Sequence, residues 1–224
     1  MCGRYAFFTP PADVAAHFGL AECAEYPPRF NIPPGTDIPV IRLSPEGKRV
    51  LHRLRWGLVP HWAKDPAIGA KLNNARAEGV MEKPSFRDAF RRRRCLIPAS
   101  GFYEWKTEGR QKQPWYFSLK SGEPLAMGGV WESWRGPDGG EILRTCAIIT
   151  TGPNAVMAPV HDRMPVILAP EHWQEWLAAP AEAARELLAP APAERLQAWP
   201  VDRRVSRATA DDAGLIEPLR AGEG

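Results

Sequence analysis

Apolar and polar positions alternate in short stretches along most of this chain, and few stretches hold one period for more than about ten residues. Residues 38–43 and 49–56 carry the two-residue alternation of half-buried strands. Pro45-Glu46-Gly47 lies between them as a turn, so the pair predicts a β-hairpin. Cys95-Leu96-Ile97-Pro98 reads as a short buried strand. Residues 115–119, 125–131 and 142–151 read as further strands, separated by turn-rich segments at 120–124 and 136–140, and together they predict an antiparallel meander. Helical spacing is confined to the margins. Pro10-Pro11 after Thr9 starts a helix with Val14, His17 and Phe18 on one face. Residues 85–93 open on Ser85-Phe86-Arg87-Asp88, which resembles a capping box. Residues 171–178 bring Trp173, Trp176 and Leu177 together, and a second helix is predicted over 181–188, while 60–74 shows no regular period. Strand runs with marginal helices and no βαβ alternation predict an α+β fold, a single domain with a curved, barrel-like, mainly antiparallel β core and peripheral helices. The domain is expected over residues 1–218 with 219–224 as a frayed tail, fraying setting in from Leu215.

Composition sharpens this picture. The 24 Pro and 19 Gly among 224 residues imply many turns, and nine Trp with 44% hydrophobic residues imply a packed core rather than disorder. No apolar run approaches the roughly 18 residues of a membrane span. The N-terminus reaches Pro10-Pro11 without an apolar signal region, so a cytoplasmic protein is expected. Cys2, Cys23, Cys95 and Cys146 form no C-x-x-C pair and no zinc-type cluster, so neither a disulfide framework nor a structural zinc is expected. The net charge of +3 conceals an asymmetry: residues 1–150 hold 22 Lys and Arg against 15 Asp and Glu, whereas residues 151–224 hold 7 against 11. Residues 82–94 concentrate the excess in Lys83, Arg87 and the run Arg91-Arg92-Arg93-Arg94. A polyanionic partner and a solvated basic helix end both fit such a run.

Position 2 offers the most distinctive chemistry. Removal of Met1 would leave Cys2 with an α-amine and a thiol on adjacent carbons. An α-amine has a pKa near 7.7–8.0, so roughly a tenth to a fifth of it is neutral and nucleophilic at pH 7. A neighbouring cation such as Arg4 would raise the thiolate fraction. Such a 1,2-aminothiol suits aldehydes: the amine forms an imine, and the thiol closes it to a thiazolidine. A small buried cysteine beside an ordinary starting Met is the plain alternative.

Three further clusters carry polar chemistry. Asn73-Asn74-Ala75-Arg76-Ala77-Glu78 follows the aromatic stretch Trp56 to Lys64. Its Asn and Arg donors suit a phosphate or a sugar hydroxyl, or simply a capped turn. In Gly101-Phe102-Tyr103-Glu104-Trp105-Lys106, a carboxyl between aromatics suits proton transfer at a raised pKa, and Trp105 could stack on a base. The alternative there is a strand end with an exposed Glu. In His161-Asp162-Arg163-Met164-Pro165, His161 can exchange protons near neutrality beside a phosphate-binding Arg163. Trp131, Trp173 and Trp176 are assigned to core packing.

In order along the chain, Met1-Cys2-Gly3-Arg4-Tyr5, Arg29-Phe30-Asn31-Ile32-Pro33-Pro34-Gly35, Trp56-Gly57-Leu58-Val59-Pro60, Asn74 to Glu78, Gly101 to Lys106, His161 to Pro165 and Val205-Ser206-Arg207 resemble the SRAP family of abasic-site processing proteins. The resemblance implies capture of the ring-opened abasic sugar in single-stranded DNA as a thiazolidine on Cys2, with no metal or other cofactor. It implies that Asn74 orients the sugar or the Cys2 region, that Glu104 assists proton transfer during imine formation, and that His161 positions the sugar oxygen and acts as acid/base in ring opening or crosslink reversal. DNA contacts are implied for Arg4, Arg76, Arg163, Trp105 and Trp62. Loss of Met1, by autoproteolysis or by a host aminopeptidase, and a monomeric state are further expectations, together with an unidentified replication partner.

Two rivals fit parts of the sequence. Class II glutamine amidotransferases also begin Met-Cys-Gly, although Ile usually follows where Arg4 stands here, and no asparagine- and glycine-rich glutamine-binding pattern occurs downstream. A noncovalent reader of single-stranded DNA would use the same basic and aromatic residues without the aminothiol.

Overall fold

A computed structural model describes residues 2–219. Its architecture follows from where the short strands find partners. Asp37–Leu43 and Arg49–Trp56 form the expected antiparallel hairpin. Gly47 takes a φ of 75° in its turn, a conformation that favours glycine. The first hairpin strand also pairs with Arg94–Ala99, which pairs with Leu125–Arg135, which pairs with Ile142–Thr151. Ile142–Thr151 then returns to Arg49–Trp56 through a parallel contact, Thr145 to Arg55 and Cys146 to Trp56, so these five strands close on themselves as a barrel. Closure leaves no free edge among them. Asn74–Arg76 lies parallel to Ile148–Thr150 outside this ring.

The second sheet runs in the order Leu196–Pro200, Gln111–Leu119, Gly101–Glu108, Tyr5–Phe7, Arg29–Ile32. The predicted meander is therefore corrected. Residues 115–119 turn back on Gly101–Glu108, and the segment 120–124 carries the chain from one sheet to the other. The crossing into this sheet at Ser100 is equally tight. The Ser100 hydroxyl accepts the main-chain N–H of Phe8 at 3.0 Å and of Thr9 at 3.2 Å. A Cβ on Gly101 would stand 2.3 Å from the Tyr116 hydroxyl and 2.5 Å from the Phe117 carbonyl, so only glycine fits.

Strand alternation divides the second sheet's residues between two cores. Tyr5, Phe7, Phe102 and Phe117 pack into the main core with the barrel. Ala6, Tyr103 and Tyr116 form a smaller core with Val201, Val205 and Leu215 of the C-terminal segment. A fully buried Leu215, together with a hydrogen bond from the Leu219 N–H to the Pro200 carbonyl, corrects the expectation of fraying from Leu215. Of the expected tail, residues 220–224 lie outside the described residues.

The helices are short and peripheral. Pro11–Phe18 buries Val14 and Phe18 and ends at Gly19 with φ 63°. Arg87–Arg92 is shorter than expected, and its N-cap is Phe86 with no side-chain cap, so Ser85 does not form the predicted capping box. Trp173–Ala178 buries both of its tryptophans, while the next helix stops at Arg185 rather than at 188. The arginine run is not one basic face. Arg94 is buried and donates to the carbonyls of Trp176, Phe90 and Ala179, and Arg93 donates to the buried Glu132 at 2.7 Å. Arg91 and Arg92 remain exposed. Among the described residues no helix is long and apolar enough to cross a membrane.

Candidate functional site

The N-terminal segment enters the fold between the two sheets. Tyr5–Phe7 is held on one side by Gly101–Glu108 and on the other by Arg29–Ile32, which carries Cys2 into the interior with no exposed surface. Asn74 reaches it from the strand Asn74–Arg76 and donates its side-chain N–H to the Cys2 carbonyl at 2.8 Å. Register explains the reach, since Asn74 lies opposite Ile148 on the barrel wall. The Cys2 thiol is pushed up by burial, and next by the negative charge of Glu104, so it is a thiol rather than a thiolate at neutral pH.

This corrects the expected activation of the thiol by Arg4. The Arg4 guanidinium turns away to donate to Asn31 Oδ1 at 2.9 Å and to the Val205 carbonyl at 3.1 Å. Arg4 lowers the thiol's pKa only through a backbone hydrogen bond. Asn31 is itself buried, and its amide N–H groups reach the carbonyls of Val205, Arg207 and Ala210 at 3.1, 3.0 and 2.7 Å. Arg4 and Asn31 thereby fasten the N-terminal strands to the C-terminal loop.

Glu104 is the chemically unusual group. It lies opposite Trp115 in the hairpin Gly101–Glu108/Gln111–Leu119, where four consecutive residues, Gly101 to Glu104, are buried. Burial raises its pKa to about 7, so the carboxyl is poised between proton donor and acceptor near neutrality. His161 Nε2 stands 3.8 Å from Glu104 Oε2. The His161 ring is held from its other nitrogen: Nδ1 accepts the Arg163 main-chain N–H at 3.0 Å. Asp162 Oδ1 also lies 3.0 Å from Nδ1, but that carboxylate is 88% exposed and free to rotate into solvent. We therefore assign the ring proton to Nε2, facing Glu104. Burial chiefly lowers the pKa of His161, which keeps the imidazole neutral at pH 7.

Glu104, Trp105, His161, Lys112 and Ser206 line one open cleft. Trp105 is half-buried there and donates from its indole N–H to Ser206 Oγ at 3.0 Å. The structure thus brings Cys2, Asn74, Glu104, His161 and Trp105 to one place. Arg163 flanks it, with its guanidinium in a two-point pair with Glu78. Arg76 is exposed at the end of the strand that carries Asn74. Trp62 is not among the residues lining the cleft. It is 49% exposed and its indole N–H meets the Pro84 carbonyl at 3.3 Å.

Sequence reasoning missed Lys112 and gave Ser206 and Glu78 no role. Lys112 lies opposite Thr107, so its place in the cleft could be read only from the register of a hairpin whose first strand had not been predicted. Among the described residues no cluster of three His, Cys, Asp or Glu side chains could hold a metal ion.

Comparison with known proteins gives one consistent answer. A family model described as SOS response associated peptidase (SRAP) matches residues 1–208. The abasic site processing protein YoqW of Bacillus subtilis is 42% identical, the match covering 97% of this chain and 99% of the relative. The abasic site processing protein YedK of Escherichia coli is 32% identical over 98% of this chain and 100% of its own. A crystal structure of a Bacteroides thetaiotaomicron protein superposes with a TM-score of 0.87 at 26% identity, covering 98% of this chain and all of the other.

Proposed function

This chain belongs to the SRAP family, and on that premise we propose that it processes abasic sites by capturing their aldehyde covalently through Cys2. The relatives' names point to abasic sites. The observation that carries the chemistry is the neighbourhood of Cys2, with its carbonyl held by Asn74 and a buried carboxyl titrating near 7 beside it.

The reaction requires loss of Met1, which frees the Cys2 amine. The neutral amine adds to the C1 carbon of the ring-opened deoxyribose, and the carbinolamine expels water to give an imine. The thiol then adds to the same carbon and its proton passes to the nitrogen, so one aldehyde and one aminothiol give a thiazolidine and water. A thiol kept protonated by burial does not compete with the amine for the first addition. Glu104, half-protonated near pH 7, suits both giving a proton to the departing hydroxyl and receiving one from the thiol. His161, neutral with its proton on Nε2, suits donation to the sugar oxygen during ring opening and proton transfer in crosslink reversal.

Arg76 and Arg163 are assigned to flanking phosphates, and Trp105 to a base at the cleft. Trp62 and Arg4 keep weaker claims. Trp62 stands outside the cleft lining, and Arg4 is directed into the protein. Incubation of the Met1-free protein with single-stranded DNA bearing one abasic site, followed by a denaturing gel, tests the proposal. A band that survives denaturation in wild type and is missing in Cys2→Ala is expected. Glutaminase activity without such a band would favour the amidotransferase reading, and salt-sensitive binding alone would favour a noncovalent reader.

A further inference from the structure

Glu78 stands just beyond the strand Asn74–Arg76, in the single 3-10 turn Ala77–Gly79. Its two carboxylate oxygens accept from the two terminal nitrogens of Arg163, Nη1 to Oε1 at 2.5 Å and Nη2 to Oε2 at 3.0 Å. Arg163 Nη2 also donates to the Thr150 carbonyl at 2.5 Å. The two side chains differ in exposure, 14% for Arg163 and 60% for Glu78. The guanidinium is thus anchored to main chain from the protein side and closed by a carboxylate from the solvent side. Arg76 acts on the same carboxylate. Glu78 is held below the usual carboxylate range first by the Arg163 hydrogen bond, with the charges of Arg163 and Arg76 adding to it.

One exposed carboxylate therefore sits among the two cations to which the proposed function gives DNA phosphates. Paired oxygens on an arginine fork are the geometry in which a phosphate also binds. We infer that Glu78 is an internal stand-in for a backbone phosphate, filling the anion position beside Arg163 and Arg76 until an entering strand displaces it. The inference rests on the DNA-contact reading of those two arginines.

Exchange is undemanding because a largely exposed ion pair contributes little to stability, and a DNA phosphate brings the release of its condensed counterions. The arrangement also selects by chemistry. A tethered carboxylate acts at a high effective concentration, so a lone small anion competes poorly with it. A strand that engages Arg76 and Arg163 through successive phosphates does not suffer this disadvantage.

The test measures binding of an intact, lesion-free single-stranded oligonucleotide to the full chain at several salt concentrations. Glu78→Gln should bind about 3–10-fold more tightly than wild type at low salt, with a similar salt dependence because the bound strand meets the same two arginines once Glu78 is displaced. The gain should vanish in Glu78→Gln/Arg163→Gln. Glu78→Asp, which keeps the charge on a shorter arm, should lie between wild type and Glu78→Gln, and this serves as the measurement should the Gln variant melt early. Unchanged or weaker binding by a folded Glu78→Gln overturns the inference. Arg163→Gln alone separates the two claims: undiminished binding there removes the DNA-contact reading itself, whereas weakened binding with an inert Glu78→Gln removes only the role of Glu78. Inorganic phosphate should not displace the oligonucleotide from wild type more readily than chloride of equal ionic strength.

Discussion

His161 presents Nε2 to the Glu104 carboxylate at 3.8 Å, and burial moves the two groups in opposite senses, Glu104 up to about 7 and His161 below its ordinary value. At pH 7 the imidazole is consequently neutral, while the carboxyl is about half protonated. A buried carboxyl with a raised pKa has a definite linkage sign. In the unfolded chain Glu104 ionises at the ordinary value near 4.5, so folding is favoured by this group below that pH and opposed by it as pH rises through 7.

Glu104→Gln, which cannot ionise, should accordingly gain stability over wild type at alkaline pH. Thermal or urea unfolding of both proteins should give similar stabilities near pH 4.5. A difference of about 1–3 kcal/mol in favour of Gln should open between pH 5 and pH 8. Curves that stay parallel across this range would show that the Glu104 carboxyl is not raised.

The side-chain hydrogen bond from Asn74 goes to the Cys2 carbonyl. Its loss should therefore slow capture without weakening the strand's approach. Asn74→Ala should reduce the crosslinking rate about 3–10-fold, the equivalent of one neutral hydrogen bond. Binding of lesion-free single-stranded DNA should be unchanged. A fall in both together would move Asn74 from positioning the N-terminus to contacting DNA.

Much of this site is legible in the sequence because its residues sit in short motifs whose chemistry is local. Cys2, Asn74, Glu104 and His161 are each conspicuous in their own segments, and the fold brings these four together. What escapes a linear reading is pairing. The hairpin Asp37–Leu43/Arg49–Trp56 could be predicted because alternation and a glycine turn occur within twenty residues. Gly101–Glu108 could not, because its first four positions are buried on both faces and show no alternation. Once that strand was missed, residues 115–119 had no visible partner but the next strand, and Lys112 had no visible place. The arginine run shows the same limit in charge. Four identical residues divide into an exposed pair and two that serve Glu132 and buried carbonyls, a division made only by the end of the helix and the start of the barrel strand.

Asn31 is the case in which a motif residue turns out to hold architecture. Its side chain takes part in four hydrogen bonds, one from Arg4 and three to carbonyls of the loop that carries Ser206. Asn31→Ala should destabilise the protein by about 2–4 kcal/mol, since several buried partners lose their complement at once. The denaturant midpoint reads this directly. A loss below about 0.5 kcal/mol, the scale of an ordinary surface substitution, would mean that water replaces the amide at this junction.

The role proposed for His161 is the most exposed to kinetic test. Held neutral, with Nδ1 occupied by the Arg163 N–H, it can donate only from Nε2. Imine formation by an amine of pKa near 8 proceeds without such a donor when Glu104 is present, whereas reopening a thiazolidine requires protonation of a ring heteroatom. His161→Ala should therefore slow crosslink reversal by about 100–10,000-fold, the range of one general acid, and capture by a smaller factor. Reversal can be followed by release of DNA from purified crosslink, and capture by single-turnover gels. Equal slowing of both steps would instead give His161 a positioning role on the sugar, and restoration of reversal by added imidazole would return it to proton transfer.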